Sequence, residues 1–199
     1  MANPVTCDQV IDVATRLFAE LSYDGTPFQL IADAVGVSSA QLTEMTGGKR
    51  ELYLSVMQRF FEAEQAMLQE SMATAEPGPA AVHRLADAYL DFYLGHPNMR
   101  ALWTHRWVSD AADIADFEDR FSRPLMEQAA TEIRNVVPPD VDTYYLLGTL
   151  VWCVHGFMGS GLMAPKSGMI PADDPGAARS FRAYLHLLMD RLLMEPAGR

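Results

Sequence analysis

Apolar residues recur at three- and four-residue intervals along most of the chain, and nowhere do they alternate for long enough to make a strand. That periodicity restricts the chain to an all-α fold, in which each helix buries one stripe against its neighbours. Val10, Ala14, Leu17, Phe18 and Leu21 form the first stripe, preceded by Thr6 and Gln9 in the T-x-x-Q form of a capping box. The first helix is therefore expected to start near Cys7 and stop near Tyr23-Asp24-Gly25. Thr26-Pro27-Phe28-Gln29 repeats the capping pattern with proline at the first helical position, and a short second helix follows with Leu30, Ile31, Ala34 and Val35 facing inward. Gly36 ends it, and Ser38-x-x-Gln41 caps a third.

Lys49-Arg50-Glu51 opens a long fourth helix whose stripe, Leu52, Val56, Met57, Phe60, Phe61, Met67 and Leu68, continues to about Ala75. Glu76-Pro77-Gly78-Pro79 breaks it. Further helices are expected over 80–94, 97–108, 111–137 with Pro124 interrupting, 141–164 and 175–194, about nine in total, with the longest loop at 165–174. The expected organisation is a three-helix domain over 1–48 and a larger helical domain over 49–199, linked by the helix 49–75.

A chain of 199 residues with 15 basic against 26 acidic side chains carries a formal charge of −11, which disfavours non-specific attraction to nucleic acid or anionic lipid. Its two cysteines, Cys7 and Cys153, suggest neither a disulfide framework nor a zinc site. The N-terminus lacks the basic start and apolar run of an export signal, so a cytoplasmic location is expected. Thr143 to Pro165 carries no Asp, Glu, Lys or Arg and is long enough to span a bilayer. Its four glycines, His155 and Ser160 favour a buried helix instead, and no membrane partner is expected.

A helix, a glycine-containing bend and a second short capped helix match a helix-turn-helix, and equally a compact helical corner. Residues 10–58 resemble the N-terminal signature of the TetR family of bacterial transcription regulators. That signature is met by Ala14, Leu17, Phe18, Gly25, Thr26, Ile31, Ala32, Gly36, Val37, Ser38, Leu42, Gly47, Lys49 and Leu52. The resemblance implies a homodimer that reads a palindromic, double-stranded operator and a small molecule in the larger domain that controls the spacing of the two reading helices. Carried over position by position, Thr26 and Lys49 would touch phosphates, while Ser39, Ala40, Gln41, Thr43 and Glu44 would face DNA. The family commonly has an aromatic hydroxyl where this chain has Thr43 and a phenylalanine where it has Thr46.

Counting Leu42 and Met45 as the buried side of the third helix points Ala40 and Glu44 outward. Residues 1–48 hold one basic side chain, Arg16, against six acidic ones, so this surface should bind arbitrary DNA poorly. Two readings stand at this stage. Either Glu44 accepts a hydrogen bond from a cytosine amino group while the helix N-termini at Thr26 and Ser38 bind phosphates, or the domain has lost operator binding and the chain is a small-molecule-binding helical dimer.

In the larger domain, Trp103 and Trp107 lie four apart on one face, with Phe121 further on, and Trp152 shares a face with His155. These five are the expected wall of a pocket for a small, mainly apolar effector, with His155 either its polar handle or a hydrogen-bonded core residue. No metal-ligand spacing, phosphate loop or nucleophile with an evident base occurs, so no metal, cofactor or catalytic residue is expected, and an enzyme on this fold is the third reading. Gly148, Gly156 and Ser160 on one helix, and Phe181, Tyr184, Leu185, Leu188 and Leu192 on the last, are expected to form a two-fold interface through helices 141–164 and 175–194.

Overall fold

A computed structural model describes residues 5–73, 78–164 and 168–194. The described elements are α1 (Cys7–Leu21), α2 (Phe28–Val35), α3 (Ser39–Thr46), α4 (Lys49–Ala73), α5 (Pro79–Gly95), α6 (Pro97–Trp107), α7 (Phe117–Phe121), α8 (Arg123–Ile133), α9 (Thr143–Ser160), β1 (Leu162–Ala164), β2 (Gly168–Ile170) and α10 (Pro175–Leu193). Among the described residues the protein is all-α apart from one short antiparallel hairpin, in which Leu162 pairs with Ile170 and Met163 with Met169. Contacts divide the chain into two compact units: residues up to Ala63 with His96–Phe121, and Glu64–Gly95 with the residues from Ser122 onward.

In the first unit, Thr6 and Gln9 make the reciprocal capping box, and α1 buries Val10, Ala14 and Phe18. The helix ends at Leu21, and the turn that follows is so tight that a Cβ on Gly25 would lie 2.1 Å from the Leu21 carbonyl oxygen. The expected capping box at Thr26 does not form. Thr26 is fully buried and its hydroxyl donates to the carbonyls of Leu17 (3.2 Å) and Ser22 (2.6 Å), which leaves Pro27 as an N-cap with no side-chain bond. Only Ile31 and Ala32 of α2 are buried, whereas Leu30 and Ala34 are exposed, because an eight-residue helix turns just one narrow face to the core.

Gly36 takes the left-handed conformation, φ 83°, that ends α2, and Ser38 and Gln41 make the second capping box at the start of α3. Leu42 is then fully buried. Leu52, Tyr53, Val56 and Met57 of α4 complete the core, where Tyr53 meets Phe18 edge-on at 5.2 Å and stacks near Phe117 at 5.8 Å.

The helix expected over 111–137 is broken. After α6 the chain turns through Ser109 and Ala111, both at positive φ, which aims the carboxylate of Asp110 at the α1–α2 turn. Asp110 accepts the backbone N–H groups of Tyr23 (2.7 Å) and Asp24 (2.8 Å). Arg106 secures the same turn by donating to the carbonyls of Asp110, Ala111 and Ile114 and pairing with Glu118. Satisfying two N–H groups, the buried one of Tyr23 and the part-buried one of Asp24, from a residue far along the chain takes precedence over the local helical pattern.

In the second unit, α5 buries Val82, Leu85, Leu90 and Tyr93, α8 buries Ala129, Ala130 and Ile133, and α9 buries Leu146, Leu150 and Val154. Asp142 and Asp174 cap α9 and α10. Arg182 and His186 of α10 pair with Asp87 of α5, each at 2.8 Å, while His83 of α5 pairs with Asp190 of α10. The helix expected over 141–164 stops at Ser160 because Gly161, at φ 66°, approaches Ile170 so closely that a Cβ would sit 2.3 Å from its carbonyl oxygen. The expected loop 165–174 accordingly contains β2, too short a strand to show alternation in sequence. Ala75, Glu76, Pro77 and Pro165 lie outside the described residues.

Candidate functional site

Helix α3 presents Ala40, Gln41, Thr43 and Glu44 to solvent, with Ser39 and Met45 half-buried and Leu42 as its anchor. Several of these side chains are already engaged. The Gln41 side chain accepts from the Ser38 backbone N–H (2.9 Å) and hydroxyl (3.0 Å), Ser39 donates its hydroxyl to Gln29, and Thr43 donates to the Ser39 carbonyl (2.8 Å). Among the described residues the Glu44 carboxylate makes no hydrogen bond or ion pair, so the exposed face of α3 is rigidly capped and carries one solvated negative charge. Lys49 sets its ammonium 4.4 Å from the Tyr23 ring centre, a cation–π contact that holds the start of α4 beside the α1–α2 turn. Thr26 supports that turn from inside.

The aromatic residues nominated from sequence fall in both units. Trp103, Trp107 and Phe121 lie in the first and Trp152 and His155 in the second. Trp103 is buried edge-on against Phe117, 5.7 Å between ring centres, and Phe117 in turn meets Phe121 at 4.9 Å. Trp107 and Trp152 are largely exposed. His155 is buried and hydrogen-bonded through Nε2 to the Tyr89 hydroxyl at 3.1 Å.

The second unit holds a small, partly open apolar cavity, about 50 Å³, whose wall includes Met67 of α4, Leu85 and Tyr89 of α5, Met126 of α8 and Leu147 and Leu150 of α9. One acid joins this wall, Glu64. It is buried, accepts a hydrogen bond from Tyr93 at 3.2 Å, and has its pKa pushed up to about 7 by the loss of solvent, which the Tyr93 bond only partly offsets. Burial also drives the phenols of Tyr89 and Tyr93 well above their ordinary range. Sequence reasoning passed over Glu64, although it sits three to four residues from Phe60, Phe61, Met67 and Leu68, in the middle of an apolar stripe. An acid at such a position is a signal in its own right.

A second concavity, an open groove of about 540 Å³, runs between α9 and α10 along Trp152, Gly156, Phe181 and Tyr184. Gly156 leaves open space where a Cβ would be, and Phe157 stacks on Phe181 at 4.0 Å beneath it. Tyr144, Tyr145, Trp152, Tyr184 and Leu187 give these two helices an exposed apolar face. Among the described residues no helix is long and apolar enough to cross a membrane, and no group of three His, Cys, Asp or Glu side chains could hold a metal ion.

Three N-terminal helices joined by tight turns, followed by a larger, mainly helical region with an apolar cavity, describe the arrangement of a class of helix-turn-helix proteins. Solved structures specify the class. The fatty acid degradation regulator FadR from Bacillus halodurans superposes with a TM-score of 0.74 at 14% identity over 100% of both chains. The TetR family transcriptional regulator PfmR from Thermus thermophilus does so at 0.66 and 22% identity, covering 94% of this chain and 100% of its own. AibR, crystallised in complex with isovaleryl coenzyme A and operator DNA, matches at 0.71 and 14% identity, covering 90% of this chain and 97% of its own. No protein-family model matches the chain. The protein has the fold of the TetR-type transcription regulators across its full length.

Proposed function

We propose that this protein is a ligand-responsive transcription regulator, a cytoplasmic repressor that binds a palindromic operator as a homodimer and is released by a small, mainly apolar molecule. The observation that carries the reading is α3: a short helix capped at Ser38, anchored by Leu42 and exposing Ala40, Gln41, Thr43 and Glu44, in a fold that AibR uses with operator DNA and a coenzyme A thioester. Residues 1–48 are the DNA-reading part and 49–199 the effector-binding and dimerising part. Lys49 and the N-terminus of α2, which has no side-chain cap, are the phosphate contacts. Thr26 holds α2 in place from within.

The effector site is the cavity at Glu64, with His155 joined to it through Tyr89, and the effector acts by biasing α4, one continuous helix that contributes residues to both units. Trp103 and Phe121 pack within the first unit, where Trp107 is exposed, and Trp152 belongs to the dimer face formed by α9 and α10. The acidic N-terminal surface favours a second reading, a small-molecule-binding dimer without operator affinity. Selection from a genomic DNA library with the purified protein decides between them. Enrichment of a palindrome is expected, and no enrichment even at low salt would leave only the second reading.

A further inference from the structure

Glu64 is a carboxyl group in the wall of an apolar cavity, and the described residues give it no cationic partner. Among the described residues its one hydrogen-bond donor is the Tyr93 hydroxyl. The titratable groups around it are few: from α5, Tyr93 and Tyr89; from α9, His155, bonded to Tyr89; and from α8, whose wall residues are Leu125, Met126 and Ala129, none. A buried acid without a counter-ion is costly in its charged form, and it avoids that cost either by holding a proton or by gaining a positive charge beside it. The rest of the wall is hydrocarbon and thioether, Met67 and Met126 among it, and methionine side chains adapt to a slender apolar body.

We propose that the effector is a lipophilic cation, a small alkylammonium whose charged head pairs with Glu64 while its apolar chain enters the partly open cavity between α4, α5, α8 and α9. The inference rests on the assignment of this cavity as the effector site. Once Glu64 is ionised, above about pH 7, a carboxylate ligand is excluded from the same position by like charge, and a neutral ligand leaves the acid with nothing better than Tyr93. Pairing also carries a proton signature. The solvent-excluded carboxyl holds its proton to about pH 7, so an ammonium ion must displace that proton when it binds below neutrality. Affinity for the cation therefore rises by up to about tenfold per pH unit below 7 and levels off above it, until the amine itself deprotonates near pH 10.

Isothermal titration of the full-length protein with n-hexylamine, 1-hexanol and hexanoate, at pH 6, 7 and 8, tests this. The amine should bind at least tenfold more tightly than the alcohol at pH 8, hexanoate should bind least, and the amine alone should release a proton at pH 6. Glu64→Gln should lose at least tenfold for the amine and its pH dependence while keeping the alcohol affinity, which also shows that the variant cavity is intact. Equal affinity for amine and alcohol, or an undiminished amine affinity in Glu64→Gln, overturns the cation and leaves the cavity as an effector site. If none of the three ligands binds, both the cation and the cavity are overturned, whereas the regulator reading is judged separately by operator selection.

Discussion

Two glutamates on helices show how the same side chain takes its meaning from its surroundings. Glu44 is solvated and sits on the face of α3 that would enter a major groove. If it reads a cytosine amino group, Glu44→Gln should relax discrimination at that base pair by about 1–3 kcal/mol. If it only repels phosphate, the substitution should tighten binding to all sequences alike. Affinities for the selected operator and a single-base variant at one salt concentration separate the two, and no response at either would remove α3 from the interface.

Glu64 is buried, and its folded pKa of about 7 lies above the ordinary carboxyl value. The folded state therefore binds more protons than the unfolded state between about pH 4.5 and 7, so stability falls as pH rises through that window and is flat above it. The loss is on the order of 3 kcal/mol at about 1.4 kcal/mol per pH unit. Glu64→Gln should flatten that part of the curve, and urea unfolding at pH 5 and pH 8 measures it.

At the scale of elements, caps and a clamp set the arrangement of the first unit. The capping boxes at Thr6 and Ser38 were legible because each is complete within four residues. The turn after α6 was not, since its purpose lies in backbone donors more than eighty residues away. Asp110→Asn keeps the size of the side chain but has only one oxygen to accept the N–H groups of Tyr23 and Asp24. The expected loss is about 1–3 kcal/mol for a buried donor left unpaired, read as a lower urea midpoint with unchanged slope. A variant as stable as the parent would show that the α1–α2 turn does not depend on the clamp.

At the scale of the molecule, the exposed apolar face of α9 and α10 is the part that a single chain leaves unsatisfied. Tyr145 is 71% and Trp152 61% exposed, far more than large aromatic groups retain on a protein that remains alone. Trp152→Glu places a charge on that face without touching the core. It should yield a helical monomer at micromolar concentration where the parent is expected to sediment as a dimer, with helix content unchanged by circular dichroism. A variant that stays dimeric would place the interface elsewhere, and a parent that is already monomeric would overturn the dimer.

Helix existence, the two capping boxes, the glycine that ends α2 and the burial of Leu42 all follow from relations within a few residues, because helical hydrogen bonds and caps join positions three to four apart. The sequence alone was therefore enough to specify a mainly helical chain with a short capped helix facing outward. It could not specify which aromatic residues converge. Trp103, Trp107 and Phe121 share one packing unit, and Trp152 and His155 the other, while the cavity wall is drawn from four helices around Glu64. Convergence of that kind depends on how separate helices dock, and only tertiary packing decides it. The same holds for Thr26, turned inward to two carbonyls, and for Asp110, turned back to the α1–α2 turn, since a buried polar group takes whichever partner the assembled fold brings within hydrogen-bond reach.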